Sequence, residues 1–89
     1  MTSYTITEHA LLQDVGDETV ILNLDSGEYF TLDAIGTQMV KLFKEDPDPA
    51  AVATKITKKY DVDFDQAQSD LIKLLEEMMA HGLVAKDEA

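Results

Sequence analysis

The stretch from residue 18 to residue 32, ETVILNLDSGEYFTL, constrains the fold most, because two short apolar runs are joined by a tight polar turn. Residues 20–24 alternate in the period-2 pattern that is typical of a half-buried strand. Residues 25–27 interrupt this run, and Gly27 can adopt the positive φ that hairpin turns require. Residues 28–32 are rich in aromatic and β-branched types, and they predict a second strand.

An earlier segment extends this hairpin into a larger sheet. Residues 10–15 predict another strand, which Gly16 and Asp17 close as a turn. Two tight turns between three short strands predict an antiparallel meander in chain order, so the strand at 28–32 lies at an edge of the sheet. The ends of the chain are predicted to be frayed around a core of about residues 10–85 within a single domain spanning residues 1–89.

Three helices are predicted to follow the sheet, over residues 34–44, 50–60 and 64–81. An aspartate precedes each of them, at Asp33, Asp48 and Asp63, where its side chain can accept a hydrogen bond from the first turn. Gly82 is placed to end the third helix. The sequence therefore predicts an α+β, winged-helix-like domain with a three-stranded antiparallel sheet followed by three α-helices.

The third predicted helix carries an unusually wide apolar arc. Its members share one side of the helix at 100° per residue: Phe64, Ala67, Leu71, Ile72, Leu74, Leu75, Met78 and Met79. Either the sheet and the other helices cover the whole arc, or one margin stays open as the wall of a groove. That margin is Ile72 with Met79, or Leu74 with Met78.

The charge of the chain excludes one role that winged helices often have. Eighteen acidic residues stand against seven basic ones, for a net charge of −11. Such a surface repels phosphate backbones and anionic lipids, which argues against nucleic-acid and membrane partners. The chain has no cysteine, which fits a reducing cytoplasm. It has neither an apolar run long enough to span a bilayer nor an N-terminal signal pattern.

Catalytic motifs are scarce. The two histidines, His9 and His81, stand far apart in sequence, and the carboxylates are dispersed along predicted polar faces. No metal-binding, phosphate-binding or nucleophile motif occurs. We therefore expect a protein that is not an enzyme and that has neither a cofactor nor a metal.

One alternative belongs to a different functional class. Acyl and peptidyl carrier proteins are also small, acidic and largely helical, and they carry a prosthetic group on a serine in an Asp-Ser-Leu motif. The sequence offers Asp25-Ser26-Gly27, with Ser26 as the candidate attachment site. In carriers this serine opens a helix, whereas Ser26 lies between two predicted strands.

Two blocks of the sequence resemble the PqqD family. The first is LNLDSGEYFTLD over residues 22–33, followed by Ile35-Gly36, and the second runs from Asp70-Leu71 to the Gly-Leu-Val of residues 82–84. Asp33 stands where the family often has Asn, and Val40 where it often has Trp. Both substitutions are compatible with the fold, because Asp caps a helix as well as Asn does.

The resemblance implies a RiPP recognition element, which binds the leader segment of a ribosomally made precursor peptide and presents it to modifying enzymes. A stand-alone chain resembles either the leader-binding protein of lasso-peptide clusters, which works with a cysteine protease that removes the leader, or PqqD itself, a chaperone in cofactor biosynthesis that works with a radical enzyme. We favour the first. The chain is expected to be a monomer or a weak dimer through its edge strand.

In this family the leader adds as an antiparallel strand to the third strand and packs against the third helix, a mode of binding known as β-augmentation. The resemblance therefore implies a set of peptide-binding residues on those two elements. They are Glu28, Tyr29, Phe30, Thr31, Leu32, Asp70, Leu71, Leu74, Leu75 and Met78. If Leu32 faces the core, Phe30 shares its face, and Tyr29 and Thr31 point the other way.

Overall fold

The computed structural model describes residues 2–88 and arranges them as five strands and three helices. The strands are β1 (Thr2–Ile6), β2 (Ala10–Val15), β3 (Glu18–Asn23), β4 (Tyr29–Leu32) and β5 (Val84–Glu88). The helices are α1 (Ala34–Glu45), α2 (Pro49–Lys59) and α3 (Phe64–Ala80). The predicted α+β class is confirmed, with a three-stranded antiparallel sheet and three helices. Within residues 2–88, no helix combines the length and the apolar character needed to cross a bilayer.

The two ends of the described chain differ from the prediction, because they pair with each other instead of fraying. β1 and β5 form a separate two-stranded antiparallel sheet, in which Thr2 lies opposite Glu88 and Ile6 opposite Val84. Residues 1 and 89 lie outside the described part of the chain. A pairing between segments so distant in sequence has no local turn signal, which is why the sequence pattern did not predict it.

The β3–β4 hairpin is closed by the predicted turn. Gly27 adopts a φ of 77°, and its N–H donates to the Asn23 carbonyl oxygen at 2.7 Å. The Asn23 N–H donates in turn to the Glu28 carbonyl oxygen at 2.9 Å. Gly27 and Glu28 therefore both lie opposite Asn23, which makes a bulge where β4 begins. The strand order β2-β3-β4 confirms the predicted meander.

Each predicted aspartate cap is confirmed. The Asp33 carboxylate accepts a hydrogen bond from the Gly36 N–H at 2.8 Å, and that of Asp63 from the Gln66 N–H at 2.8 Å. Asp48 accepts from the backbone of α2 at 3.1 Å. Each of these bonds satisfies a donor that the first helical turn leaves without an intrahelical partner.

The core lies between one face of the three-stranded sheet and the helices. Its largest fully buried side chains include Phe43, Ile21, Ile56, Leu71, Leu75, Met78, Leu83 and Val52. Val40, where the family often has Trp, is 2% exposed and belongs to this core. The opposite face of the sheet carries Leu11, Val15 and Tyr29, each at least half exposed.

Candidate peptide-binding edge

The side chains of β4 alternate between the core and solvent. Leu32 is buried and Phe30 is half-buried, whereas Tyr29 and Thr31 are exposed. This confirms the predicted facing of the strand, and it follows from the period of two that a pleated strand imposes. Tyr29, at 69% exposed, is the most exposed large apolar side chain among residues 4–86.

The backbone of β4 has unpaired groups on the side away from β3. Hydrogen-bonded and non-bonded residue pairs alternate along an antiparallel ladder, and the pair of Asn23 with Glu28 is bonded. By this alternation the even-numbered residues of β4 bond to β3. Tyr29 and Thr31 therefore direct their N–H and C=O groups outward, where no other strand within residues 2–88 pairs with them. The edge offers two donors and two acceptors to an incoming strand.

α3 lies beside this edge. Asp70, Lys73, Leu74 and Glu77 follow one stripe of the helix, because they are spaced three, four and seven residues from the first. Beyond the last turn, the His81 ring contacts the Phe30 ring of β4, with centroids 5.1 Å apart. We call the surface between β4 and this stripe of α3 the edge groove; the Phe30–His81 contact lies at one end of it and Asp33, which follows β4, at the other.

The edge groove deepens where β4 gives way to α1. A depression of about 310 Å³ lies there, and the start of α1 and the stripe of α3 line it: Asp33, Ile35, Gly36, Met39, Asp70, Lys73, Leu74 and Glu77. Ile35 is 44% exposed, so part of its side chain is accessible in the depression. Apolar side chains and carboxylates occur together, so the depression suits a side chain with an apolar stem and a positively charged or hydrogen-donating end.

Three of the predicted contact residues do not reach the edge groove. Leu71, Leu75 and Met78 are at most 1% exposed and belong to the core, so their side chains are not available to a peptide at the surface. The periodicity of α3 defined the arc correctly, but it carried no information on how much of the arc the sheet and the other helices cover. The side chains of Leu71, Leu75 and Met78 therefore serve the core of the free protein.

Leu32, another predicted contact residue, is also a core residue at 3% exposed, whereas Tyr29, Phe30 and Thr31 lie along the rest of β4. Leu74 is half-buried and lines the depression. Ile72 and Met79 of the other margin are half-buried too, but neither lines the depression. Asp70 is exposed in the same lining, and its carboxylate accepts a hydrogen bond from the Gln66 side chain at 2.8 Å. Glu28 lies exposed in the bulge before β4.

Sequence reasoning missed several residues of the depression. Asp33, Ile35 and Met39 reach it from the start of α1, and none of them belongs to the predicted contact set. Lys73 and Glu77 are also outside that set, although their spacing from Asp70 and Leu74 puts all four on one stripe of α3. That spacing was the available signal.

Ser26 and His9, which were considered as sites for a prosthetic group or for catalysis, make structural contacts instead. The Ser26 hydroxyl lies in the hairpin turn and accepts the Glu28 N–H at 3.2 Å, so it does not open a helix as a carrier serine does. His9 donates from Nε2 to the Gly82 carbonyl oxygen, while Nδ1 lies 3.5 Å from an Asp25 carboxylate oxygen. Within the described residues, no group of three or more His, Cys, Asp or Glu side chains could hold a metal ion.

Two solved structures share this fold. TbiB1 in complex with the TbiA(beta) leader peptide matches with a TM-score of 0.84 and 30% identity, over 90% of this chain and 93% of that chain. A lasso peptide synthetase B1 complexed with the leader peptide matches with a TM-score of 0.85 and 23% identity, over 93% of this chain and 98% of that chain. A comparison with curated proteins finds no match.

The family comparison covers the elements that build the edge groove. The family model described as Coenzyme PQQ synthesis protein D (PqqD) matches residues 18–84, which include β3, β4 and all three helices. The match extends over more than half of the sequence, and it contains both blocks that carry the sequence resemblance. The chain belongs to the PqqD family.

Proposed function

We propose that this chain is a non-catalytic protein that captures the leader segment of a ribosomally synthesised precursor peptide in the edge groove. The observation that carries the proposal is the pair of outward-facing backbone sites at Tyr29 and Thr31, which lie beside the stripe of α3. A peptide strand that adds there gains main-chain hydrogen bonds, and the groove selects alternate side chains. TbiB1, which is 30% identical, was solved with a leader peptide bound, which supports the proposal.

The geometry gives the bound peptide a direction. β4 runs from Tyr29 toward Asp33, so a peptide that pairs antiparallel has its N-terminal part near Asp33 and the depression. Its C-terminal part lies near Phe30, His81 and the hairpin turn. Every second side chain of the peptide points into the groove toward Leu74, and the others extend the outer face of the sheet.

The charges of the groove favour a basic leader. Asp33, Asp70 and Glu77 line the depression with Lys73 as the single cation, and the whole chain has a net charge of −11. This excess of negative charge attracts the positive side chains of a leader as it approaches the groove. Exposed ion pairs are each worth only about 0–1 kcal/mol, so we assign the affinity mainly to the backbone pairing and to Leu74, and the steering to the carboxylates.

The pathway we propose is lasso peptide biosynthesis in the cytoplasm. Both structural relatives are leader-bound, and one is described as a lasso peptide synthetase B1. The chain would deliver the leader to a peptidase of the cysteine protease class. Because the family model is that of a coenzyme PQQ synthesis protein, the second candidate is a chaperone that delivers a cofactor precursor peptide to a radical enzyme.

A substitution pair tests the proposal. Thr31→Pro removes an outward N–H and leaves the bonds between β3 and β4 in place, whereas Thr31→Val keeps the N–H with a side chain of similar shape. Isothermal titration calorimetry would use the TbiA(beta) leader peptide, or another lasso-precursor leader that the wild-type chain binds. We expect Thr31→Val to bind and Thr31→Pro to fail. A folded Thr31→Pro protein with full affinity would refute strand addition at β4.

The two candidate pathways differ in the enzyme that binds the leader-bound chain. A lasso-type protein should form a ternary complex with a leader and a cysteine protease, and it should accelerate leader cleavage. A cofactor chaperone should instead form its ternary complex with a radical enzyme. Size-exclusion chromatography of the leader-bound chain with each enzyme encoded nearby distinguishes the two outcomes.

A further inference from the structure

Asn23 is a buried polar residue whose role the binding edge does not explain. It ends β3 on the core side of the sheet, and it is 6% exposed. Its side-chain oxygen accepts the N–H groups of Asp25 at 2.9 Å and of Ser26 at 3.1 Å. Its side-chain nitrogen donates to the His81 carbonyl oxygen at 2.8 Å. One amide therefore holds both the hairpin turn and the C-terminal end of α3.

These two segments lead directly into the two walls of the edge groove. The hairpin turn delivers the chain into β4, and His81 is the C-cap of α3, the helix that carries Leu74 and Glu77. The hydrogen bond from Asn23 to His81 therefore joins the two walls at the end where Phe30 contacts His81, with ring centroids 5.1 Å apart.

Neighbouring residues leave space for this amide and support it. Gly82 has a φ of 73°, and a Cβ atom there would lie 3.2 Å from the Asn23 side-chain nitrogen. Such a contact is tighter than ordinary van der Waals packing, so an alanine would crowd the amide, and it would be strained by the positive φ as well. His9 links the same segments, because it donates to the Gly82 carbonyl oxygen and lies beside the Asp25 carboxylate.

We propose that Asn23 is a positioning residue that sets the width of the edge groove at its Phe30 end, and thereby the affinity for the C-terminal part of a bound leader. The inference rests on the proposed function, since it assigns the leader to this groove. Asn23 acts through His81 and the turn, and it does not need to contact the peptide.

The Asn23→Asp variant isolates the bond to α3. An aspartate keeps the acceptor for the Asp25 and Ser26 N–H groups, but it places a carboxylate oxygen against the His81 carbonyl oxygen, where no hydrogen bond can form. In the free protein, we expect the nuclear Overhauser contacts between the Phe30 and His81 rings to disappear. We expect the affinity for the leader peptide used in the calorimetry to fall about tenfold, as the loss of one buried hydrogen bond allows.

Two controls separate positioning from a general loss of stability. Ser26→Ala removes the turn contact to Glu28 without touching α3, and it should leave both readouts unchanged. Val52→Ala creates a core defect in α2, away from the groove. It should lower the melting temperature without reducing leader affinity, measured where the protein is folded.

The possible results decide the inference. Loss of the ring contacts together with loss of affinity supports it. Unchanged affinity, or weaker binding with the ring contacts intact, overturns it. If Asn23→Asp does not fold, Gly82→Ala takes its place, because its methyl group crowds the same amide; full affinity in that variant also overturns the inference. Full affinity in Thr31→Pro would instead refute strand addition itself, so the two failures are distinguishable.

Discussion

The two outer strands of the three-stranded sheet, β2 and β4, offer similar backbones to a partner but have different surroundings. By the same alternation along the ladder, Leu12 and Asp14 of β2 direct their N–H and C=O groups outward, as Tyr29 and Thr31 of β4 do. Free backbone groups are therefore not what makes β4 the better binding edge.

The side chains at the two edges differ in charge. β2 places Asp14 at its margin, and Lys41 of α1 lies 3.5 Å from that carboxylate. Charged side chains on an edge strand disfavour the addition of another strand, because pairing would desolvate them. The residues of β4 are Tyr, Phe, Thr and Leu, without a charge, and the open stripe of α3 lies beside them. The comparison indicates that an edge becomes a binding site through what flanks it.

A proline at each edge gives the largest expected difference. Thr31→Pro should weaken leader binding by about 100-fold, because a buried acceptor of the peptide loses its donor and the ring obstructs the pairing. Asp14→Pro removes an equivalent outward N–H from β2 and should leave binding unchanged. Calorimetry on both variants measures the difference. Equal losses would mean that the two edges do not differ as described.

Truncation of α3 side chains tests the contribution of the flanking helix to binding. Leu74→Ala should lower leader affinity by about tenfold with a modest loss of stability, since Leu74 is half-buried in the edge groove. Leu75→Ala, at a core position that is 1% exposed, should lower the free energy of unfolding by about 2–5 kcal/mol. Leader affinity of folded Leu75→Ala should remain unchanged. Urea denaturation and fluorescence anisotropy separate the two effects.

Neutralising the carboxylates of the depression should have a smaller effect. Asp70→Asn and Glu77→Gln should each lower the affinity for a basic leader by about twofold to fivefold, as exposed ion pairs allow. The effect should diminish at high salt because the charges are screened. Asp17→Asn, in the exposed turn between β2 and β3, is the control and should change nothing. If Asp70→Asn and Glu77→Gln both bind the leader with the affinity of the wild type, the carboxylates do not participate in binding.

The smallest effect should come from removing the charge that disfavours pairing at β2. Asp14→Thr eliminates the ion pair with Lys41 and gives β2 a neutral margin similar to that of β4. We expect weak self-association at high concentration, measured by sedimentation equilibrium. Asp17→Thr is the matched control, and it should self-associate no more than the wild type does. If Asp14→Thr also remains as the wild type, the charge at Asp14 is not what keeps β2 unpaired.

The sequence predicted those features that depend on local chemistry. The hairpin turn followed from Gly27, the helix starts from Asp33, Asp48 and Asp63, and the facing of β4 from alternation. Each of these signals lies within a few residues of the feature that it specifies, so one sequence is enough to recognise it.

The features that the sequence did not predict depend on contacts between distant segments. The pairing of β1 with β5 joins opposite ends of the described chain. The burial of Leu71, Leu75 and Met78 depends on which surfaces pack over α3, and periodicity does not specify those surfaces. The depression likewise forms only where the start of α1 meets α3, and neither helix alone indicates it.

The most direct test of strand addition at β4 is amide hydrogen exchange, measured by NMR with and without a saturating leader peptide. Outward-facing amides that gain a partner strand become protected, so the exchange of the Tyr29 and Thr31 N–H groups should slow when the peptide binds. The outward amides of Leu12 and Asp14 should exchange as before. Protection at Leu12 and Asp14 instead, or at neither edge of the sheet, would contradict the account.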